Sequence, residues 1–249
     1  MPNYFIASSS ITGGSCSITG DDFHHLARVR RAAKGDNLIL VDENGRRFSA
    51  QITEICADKI ICSVESSATG CAKNAAPPDR MPQPPFELCL YAALLKGKKF
   101  DLVIRKAVEI GVSKIVPVIT ERCVPDYTEK SGAKNSRWRR IALEAAKQSM
   151  REHLPSVEEI CSFGEIISAG AWDERIIAHI RGADFKAYAR SAKPKSAGIL
   201  IGPEGGFSSL ELEKAERAGW RQLTFGFPQM RAETAAVIIP AVIIHEWGN

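Results

Sequence analysis

After residue 86, short apolar runs alternate with helical repeats, and no other feature of the sequence constrains the fold as strongly. Between Phe100 and Ile110, apolar residues recur at intervals of three and four positions, which predicts an amphipathic helix that Gly111 ends. Similar patterns predict strands at 88–95, 114–119, 176–180, 199–201 and 223–225, and helices around 138–149, 209–218 and 233–245. Such alternation is typical of an α/β domain with a mainly parallel sheet.

A different pattern precedes this region. Prolines at 77, 78, 82, 84 and 85 disfavour regular structure and predict a stiff linker. Before the linker, strands are predicted at 37–41, 47–52 and 59–64, with an Asn-Gly turn at 44–45 and a short helix at 22–29. We therefore predict a small β-barrel domain at 1–72, a linker at 73–85 and an α/β domain at 86–249.

Several classes of protein are disfavoured by composition. The longest apolar run, 235–244, contains Pro240 and is shorter than the ~20 residues that a membrane span requires. The first residues lack the basic and apolar regions of a secretion signal, so we expect a cytoplasmic protein without membrane attachment. The seven cysteines contain no CxxC pair and the five histidines show no ligand spacing, which argues against a disulfide framework or a metal site.

The net charge of +4 is modest, but the basic residues are clustered. Clusters lie at 28–34, 96–106 and 137–151, and in the last one the helical repeat turns Arg139, Arg140, Lys147 and Arg151 mostly toward solvent. Clustered positive charge suits a polyanion such as RNA, whose phosphates provide much of the binding affinity. For any one cluster, an ordinary solvent-exposed helix face is the alternative explanation.

The segment LIGPEGGFS, at 200–208, leaves the carboxyl end of a predicted strand, which is where α/β sheets bind ligands. Ser208 and Glu211 form a capping box that starts the next helix. Gly205 and Gly206 suit either a tight turn or the close approach of a ligand. Pro203 stands where the dinucleotide motif GxGxxG requires a glycine, and the chain contains no GxxxxGK(S/T) phosphate loop.

A second segment, FGFPQMRAETAAV at 225–237, leaves a short strand and enters a helix. Together with LIGPEGGFS it resembles the signature of the SPOUT methyltransferase superfamily, and within it the RsmE family of ribosomal RNA uridine N3-methyltransferases. Three further blocks match this family in the same order: HHLARVRRAAKGD, KGKKFDLVIRKAVEIGVSKIVPVITERCV and RWRRIALEAAKQSMR. The resemblance covers most of the chain and is weakest at 66–85 and 161–197.

The resemblance implies an N-terminal PUA-like β-barrel and a C-terminal SPOUT α/β domain whose end is threaded as a trefoil knot. It also implies a homodimer that methylates N3 of a uridine in small-subunit (16S) ribosomal RNA, either as RNA or as the assembled 30S subunit. The implied cofactor is S-adenosylmethionine (SAM), bound in the knot. The implied cofactor-binding residues are Leu200, Ile201, Gly202, Pro203, Gly205, Gly206, Phe225, Gly226, Met230, Thr234 and Ala235.

For the chemistry, the resemblance points to Arg231, whose charge would stabilise the uracil anion that forms as N3 loses its proton. Glu233 is the second candidate, as a proton acceptor, as a group that orients Arg231, or only as a favourable charge at a helix N-terminus. Two positions depart from the pattern of the family, because Pro228 replaces an arginine and Arg105 replaces a glutamine.

The candidate RNA-binding residues come from the basic clusters and are Arg28, Arg30, Arg31, Lys34, Arg105, Arg137 and Arg139. In the last helix, Val237, Ile238 and Val242 are candidates either for subunit contacts or for the core of one subunit. Two alternative functions remain open: a noncatalytic RNA-binding protein, and a SPOUT enzyme that acts on another RNA such as transfer RNA.

Overall fold

The structure is a computed structural model, and it describes residues 3–42, 46–65, 86–123, 131–151, 153–168 and 172–248. The chain divides into two compact units. The first comprises Met1–Pro82 with Ala146–Leu154, and the second comprises Gln83–Ala145 with Pro155–Asn249. The predicted linker at 73–85 and the predicted turn at 44–45 lie outside the described residues.

The described part of the N-terminal unit forms a six-stranded sheet in the order β1-β4-β5-β6-β3-β2. The β1–β4 ladder is parallel, and the other ladders are antiparallel. Leu26, Leu40, Ile60 and Cys62 are fully buried in its core. The elements are β1 Asn3–Phe5, β2 Ile11–Thr12, β3 Ser15–Thr19, helix α1 Gly20–His24, a π-helical turn His25–Val29, β4 Asn37–Val41, β5 Arg47–Ile55 and β6 Lys59–Glu65.

In the C-terminal unit, the described strands form one parallel sheet in the order β10-β8-β7-β12-β11-β13, with β9 paired to β8. The strands are β7 Glu87–Ala93, β8 Lys114–Ile119, β9 Ser156–Val157, β10 Cys161–Ser162, β11 Glu174–Asp184, β12 Ser196–Ile201 and β13 Arg221–Thr224. The helices are α2 Lys99–Ile110, α3 Ser131–Gln148, whose last three residues belong to the first unit, α4 Phe163–Ser168, α5 Phe185–Ala189, α6 Ser209–Arg217 and α7 Ala232–Trp247.

The apolar patterns explain this sheet. Leu88, Leu90, Ile199 and Leu200 are fully buried, as expected for central strands that are covered on both faces. Helix α2 ends as predicted at Gly111, which has a φ of 108°. The α/β class is therefore confirmed, whereas the threading of the chain as a trefoil knot stays a prediction.

The prediction for the end of the basic helix was wrong at Arg151. Its side chain is buried, with a relative exposure of 5%, and burial lowers the pKa of its guanidinium to about 10. The reason is that α3 ends at Gln148, and Met150 adopts a φ of 54°, so the helical repeat does not continue to residue 151. Lys147 is also not turned toward solvent as predicted, because it forms an ion pair with Asp22 of the same unit.

Among the described residues, no helix has the length and apolar character needed to cross a membrane.

Candidate active site

The carboxyl ends of β12, β11 and β13 lie side by side in the parallel sheet. The loop at 202–206 leaves β12, the loop at 225–230 leaves β13, and β11 lies between these two strands. A cavity opens at these strand ends. Its volume of about 660 Å³ is within the usual range for small-molecule sites. Its lining comes from both loops, residues 178–180 of β11 and the start of α7, together with Lys99 and Arg122.

The glycines of the first loop have distinct structural reasons. The backbone N–H of Gly206 donates to the carbonyl of Pro203 at 2.9 Å, and Gly206 closes this turn with a φ of 67°. A Cβ at Gly202 would lie 3.0 Å from the ring of Phe207. A Cβ at Gly205 would lie 3.2 Å from the Cβ of Arg122, whose Nη1 donates to the Gly205 carbonyl at 2.9 Å. Larger residues at 202 and 205 would therefore crowd neighbouring side chains, and position 206 favours glycine because of its positive φ.

The predicted capping box is present and fixes the end of the first loop. The Ser208 hydroxyl accepts from the backbone N–H of Glu211, and the Glu211 carboxylate accepts from that of Ser208 at 2.9 Å. The same hydroxyl donates to the Glu121 carboxylate at 2.6 Å, and the Glu121 N–H donates to Glu211 at 2.8 Å. Because Ser208 and Glu211 are buried, these bonds hold the loop rigidly against the end of β8.

The second loop leads into α7, where the candidate catalytic residues lie. Arg231 is the N-cap residue of α7 and lines the cavity, and Glu233 follows in the first turn. Lys99 Nζ lies 3.1 Å from the Glu204 carboxylate and 3.5 Å from that of Glu233. The hydrogen bond to Glu204 raises the pKa of the Lys99 ammonium. Lys99 thus joins the first loop to the first turn of α7.

The middle of β11 supplies an imidazole to the cavity. His179 lines the cavity, and its Nδ1 is buried without a hydrogen-bond partner among the described residues. Burial, followed by the nearby charge of Arg181, lowers the pKa of the His179 side chain. A buried polar atom without a partner at a cavity wall marks a place where a ligand can bind.

Most of the proposed cofactor-binding residues come together in the cavity. Those in its lining are Ile201, Gly202, Pro203, Gly205, Gly206, Phe225, Met230 and Ala235. Three others lie outside the lining: Leu200 is fully buried in the sheet, Gly226 lies between the lining residues Phe225 and Phe227, and Thr234 is exposed on α7.

Sequence reasoning did not select several charged or polar residues of the lining, namely Lys99, Arg122, His179 and Glu204. In the sequence, Lys99 stands out only as part of a basic cluster and Glu204 only as part of the loop motif. Glu233 lies outside the lining and contacts it through Lys99.

The candidate RNA-binding residues differ in their surroundings. In the N-terminal unit, the four residues from the first basic cluster are exposed: Arg28, Arg30, Arg31 and Lys34. In the C-terminal unit, Arg105 is exposed on α2, Arg137 forms an ion pair with Asp101, and Arg139 lies 2.7 Å from Glu159. Carboxylates therefore already pair with two of the three candidate RNA-binding residues in that unit.

Two protein families match the chain. The RNA methyltransferase domain matches residues 82–244, and the RNA methyltransferase PUA domain matches residues 18–65. The parallel sheet with its cavity belongs to the first, and the N-terminal sheet belongs to the second. The protein is therefore an RNA methyltransferase with a PUA domain, which confirms the two domain types that the resemblance implies.

Curated relatives narrow the family. The ribosomal RNA small subunit methyltransferase E 2 of Borreliella burgdorferi is 30% identical over 216 residues, covering 86% of this chain and 84% of the relative. The ribosomal RNA small subunit methyltransferase E of Bacillus subtilis is 28% identical over 239 residues, covering 92% and 90%. The chain belongs to the ribosomal RNA small subunit methyltransferase E (RsmE) family.

A solved structure from Legionella pneumophila, a complex with the cofactor SAM, is similar over nearly the whole chain. It is 25% identical in sequence, superposes with a TM-score of 0.82, and covers 97% of this chain and 96% of its own.

Proposed function

We propose that this protein transfers a methyl group from SAM to N3 of a uridine in small-subunit ribosomal RNA. The observation that carries the proposal is the cavity between two glycine-containing loops at the carboxyl ends of β12, β11 and β13. The names of the relatives indicate small-subunit ribosomal RNA as the substrate, and the SAM complex of a protein with the same fold indicates the cofactor.

The residues of the cavity fit this cofactor. Ile201, Met230 and Ile239 provide an apolar wall for an adenine ring, and the loop glycines leave backbone exposed for close contact. Arg122 and Glu204 provide opposite charges for an amino-acid group. Nδ1 of His179, which has no partner within the described part of the chain, offers a hydrogen bond. The cavity therefore combines an apolar wall with a few fixed polar groups.

When bound, SAM supplies a methyl group on a sulfonium, which is a good leaving group. N3 of uridine lies on the base-pairing edge, so the protein must receive an unpaired or extruded base. Arg231 would stabilise the negative charge that develops on the uracil carbonyl oxygens, and this contact strengthens in the transition state. Glu233 would accept the N3 proton directly or through a water molecule, with Lys99 holding its carboxylate at the edge of the cavity.

The proposal extends to partners and location. The exposed basic residues of the N-terminal unit and Arg105 would contact phosphates of the RNA or of the assembled 30S subunit. Two copies of the chain would form a homodimer through the apolar face of α7. Because small ribosomal subunits are cytoplasmic, the enzyme would act in the cytoplasm.

Two measurements test this function. Calorimetry with S-adenosylhomocysteine should show binding, whereas a noncatalytic RNA-binding protein would show none. Nucleoside mass spectrometry of small-subunit ribosomal RNA from a strain that lacks the protein should show the loss of an N3-methyluridine, restored by the wild-type gene. Persistence of all N3-methyluridine in that RNA, with loss of a methylated nucleoside from transfer RNA, would assign the enzyme to the other substrate.

A further inference from the structure

His179 lies on an interruption of β11 that the sheet pattern alone does not require. Along the β11–β13 ladder, Ala178 pairs with Leu223, and Ala183 then pairs with the same residue. Residues 179–182 therefore leave the ladder as a bulge. Bulges of this kind commonly redirect a side chain beside an active site.

Gly182 makes this bulge possible. A Cβ at Gly182 would lie 2.6 Å from backbone atoms of Gln222 and Leu223, closer than any side chain can approach. The backbone of the bulge therefore packs directly on β13. On the other side of β11, the ladder to β12 is regular from Glu174 to Ile177.

The order of the strands places His179 close to both loops of the cavity. Strand β11 lies between the two strands whose loops form the cavity, so the bulge lies between those loops. His179 lines the cavity, its ring is partly buried, and its Nδ1 has no partner among the described residues. A buried nitrogen without a partner costs free energy, and a ligand that bonds it recovers that cost on binding.

We propose that His179 is a cofactor-binding residue, held by the bulge at 179–182 so that its Nδ1 hydrogen-bonds to the adenosine part of SAM. This inference rests on the proposed function and adds a contact from a segment that carries little family resemblance. The adenosine part is the chemical class that fits, because it offers both hydroxyl and amino groups as partners for an imidazole nitrogen.

Variants that place an amide at different distances from the backbone test the contact. The Asn amide can reach approximately the position of Nδ1, and the Gln amide that of Nε2. By calorimetry with S-adenosylhomocysteine at pH 8, we expect His179→Ala and His179→Gln to bind about tenfold more weakly than the wild type, the loss of about one hydrogen bond. We expect His179→Asn to bind within about threefold of the wild type. Arg217→Ala is the control, because Arg217 is exposed on α6 and lies outside the cavity lining.

The outcomes separate this inference from the proposed function. Wild-type affinity in all three variants would overturn the role of His179 while leaving the methyltransferase intact. Equal losses in the Asn, Gln and Ala variants would overturn the Nδ1 contact. Absence of binding to the wild-type protein would instead contradict the proposed function. Unchanged melting temperatures of the variants would show that losses in affinity come from the contact and not from unfolding.

Discussion

At the scale of single residues, Arg231 is placed to act on the reaction more than on binding. We expect Arg231→Ala to slow single-turnover methylation of small ribosomal subunits by at least about a hundredfold, since one charged donor to a developing anion contributes that much. Affinity for SAM should stay within several-fold, because the apolar wall and loop backbone remain. Arg217→Ala, at an exposed position on α6 outside the cavity lining, is the control.

Near-normal turnover of the Arg231→Ala variant would remove Arg231 from the chemistry. Loss of cofactor binding with intact folding would instead make Arg231 part of the cofactor pocket. Glu233 is tested in the same assay, where Glu233→Gln should slow turnover if the carboxylate accepts the proton and should leave it unchanged if it acts only at the helix N-terminus.

A second prediction at this scale concerns pH. The pKa of His179 is lowered, so its imidazole is neutral at pH 7 and becomes charged only below its ordinary value of 6.5. The sulfonium of SAM is positive, and a protonated imidazole would repel it. SAM affinity should therefore be constant above that pKa and fall as the pH drops through it, and the fall should be smaller for S-adenosylhomocysteine, which lacks the sulfonium charge.

The other charged groups at the cavity must be distinguished from His179 as the source of this pH dependence. They are Lys99, Arg122, Glu204 and Arg231, with Arg181 inside the bulge. Lys, Arg and Glu ordinarily titrate outside the range from pH 5 to 8. The difference between the two ligands should consequently vanish in His179→Asn. If it persists in that variant, another group is responsible for it.

At the scale of secondary-structure elements, the bulge in β11 depends on Gly182. Gly182→Ala should destabilise the protein by about 1–3 kcal/mol, because the new methyl group overlaps the backbone of β13 and must displace it. Cofactor affinity should fall with it, since His179 loses its position. Gly164→Ala is the control, because that site in α4 has open space and alanine favours helices. Urea titration checks the stability, and a neutral Gly182→Ala would contradict the role of the bulge.

The same elements show what sequence can predict. Helix α2, its end at Gly111 and the capping box at Ser208 are encoded within a few neighbouring residues, and the structure confirms them. His179 lies on an interruption of the ladder between β11 and β13, and β13 is far along the chain, so no local pattern identifies His179 as a cavity residue. The burial of Arg151 was missed for a related reason, because the turn after α3 ends the helical repeat that the prediction extended.

At the scale of the whole molecule, α7 offers a partly exposed apolar face. Ile238 is 38% exposed, and Val237 and Val242 are half-buried, whereas Ile239 and Ile243 are buried. If this face forms the dimer, light scattering at micromolar concentration should give about twice the chain mass of 27.2 kDa. Ile238→Arg should shift it toward one chain mass, and Leu210→Arg, at an exposed site on α6, should not. A wild-type monomer that still methylates RNA would contradict the shared interface.

The distribution of charge over the molecule leads to a last prediction, on RNA binding. Each phosphate contact contributes about 0.7 to 0.9 to the slope of log K against log salt concentration. Alanine at Arg28, Arg30, Arg31 or Lys34 should lower the slope by about this amount, because all four are exposed. Arg137→Ala should lower the slope less, since its guanidinium already pairs with Asp101.

Arg190→Ala is the control, because this residue lies at an exposed position beyond α5, and it should leave the slope unchanged. Filter binding to small ribosomal subunits over a salt series measures these slopes, and equal slopes for wild type and all four N-terminal variants would identify that cluster as an ordinary solvent-exposed surface.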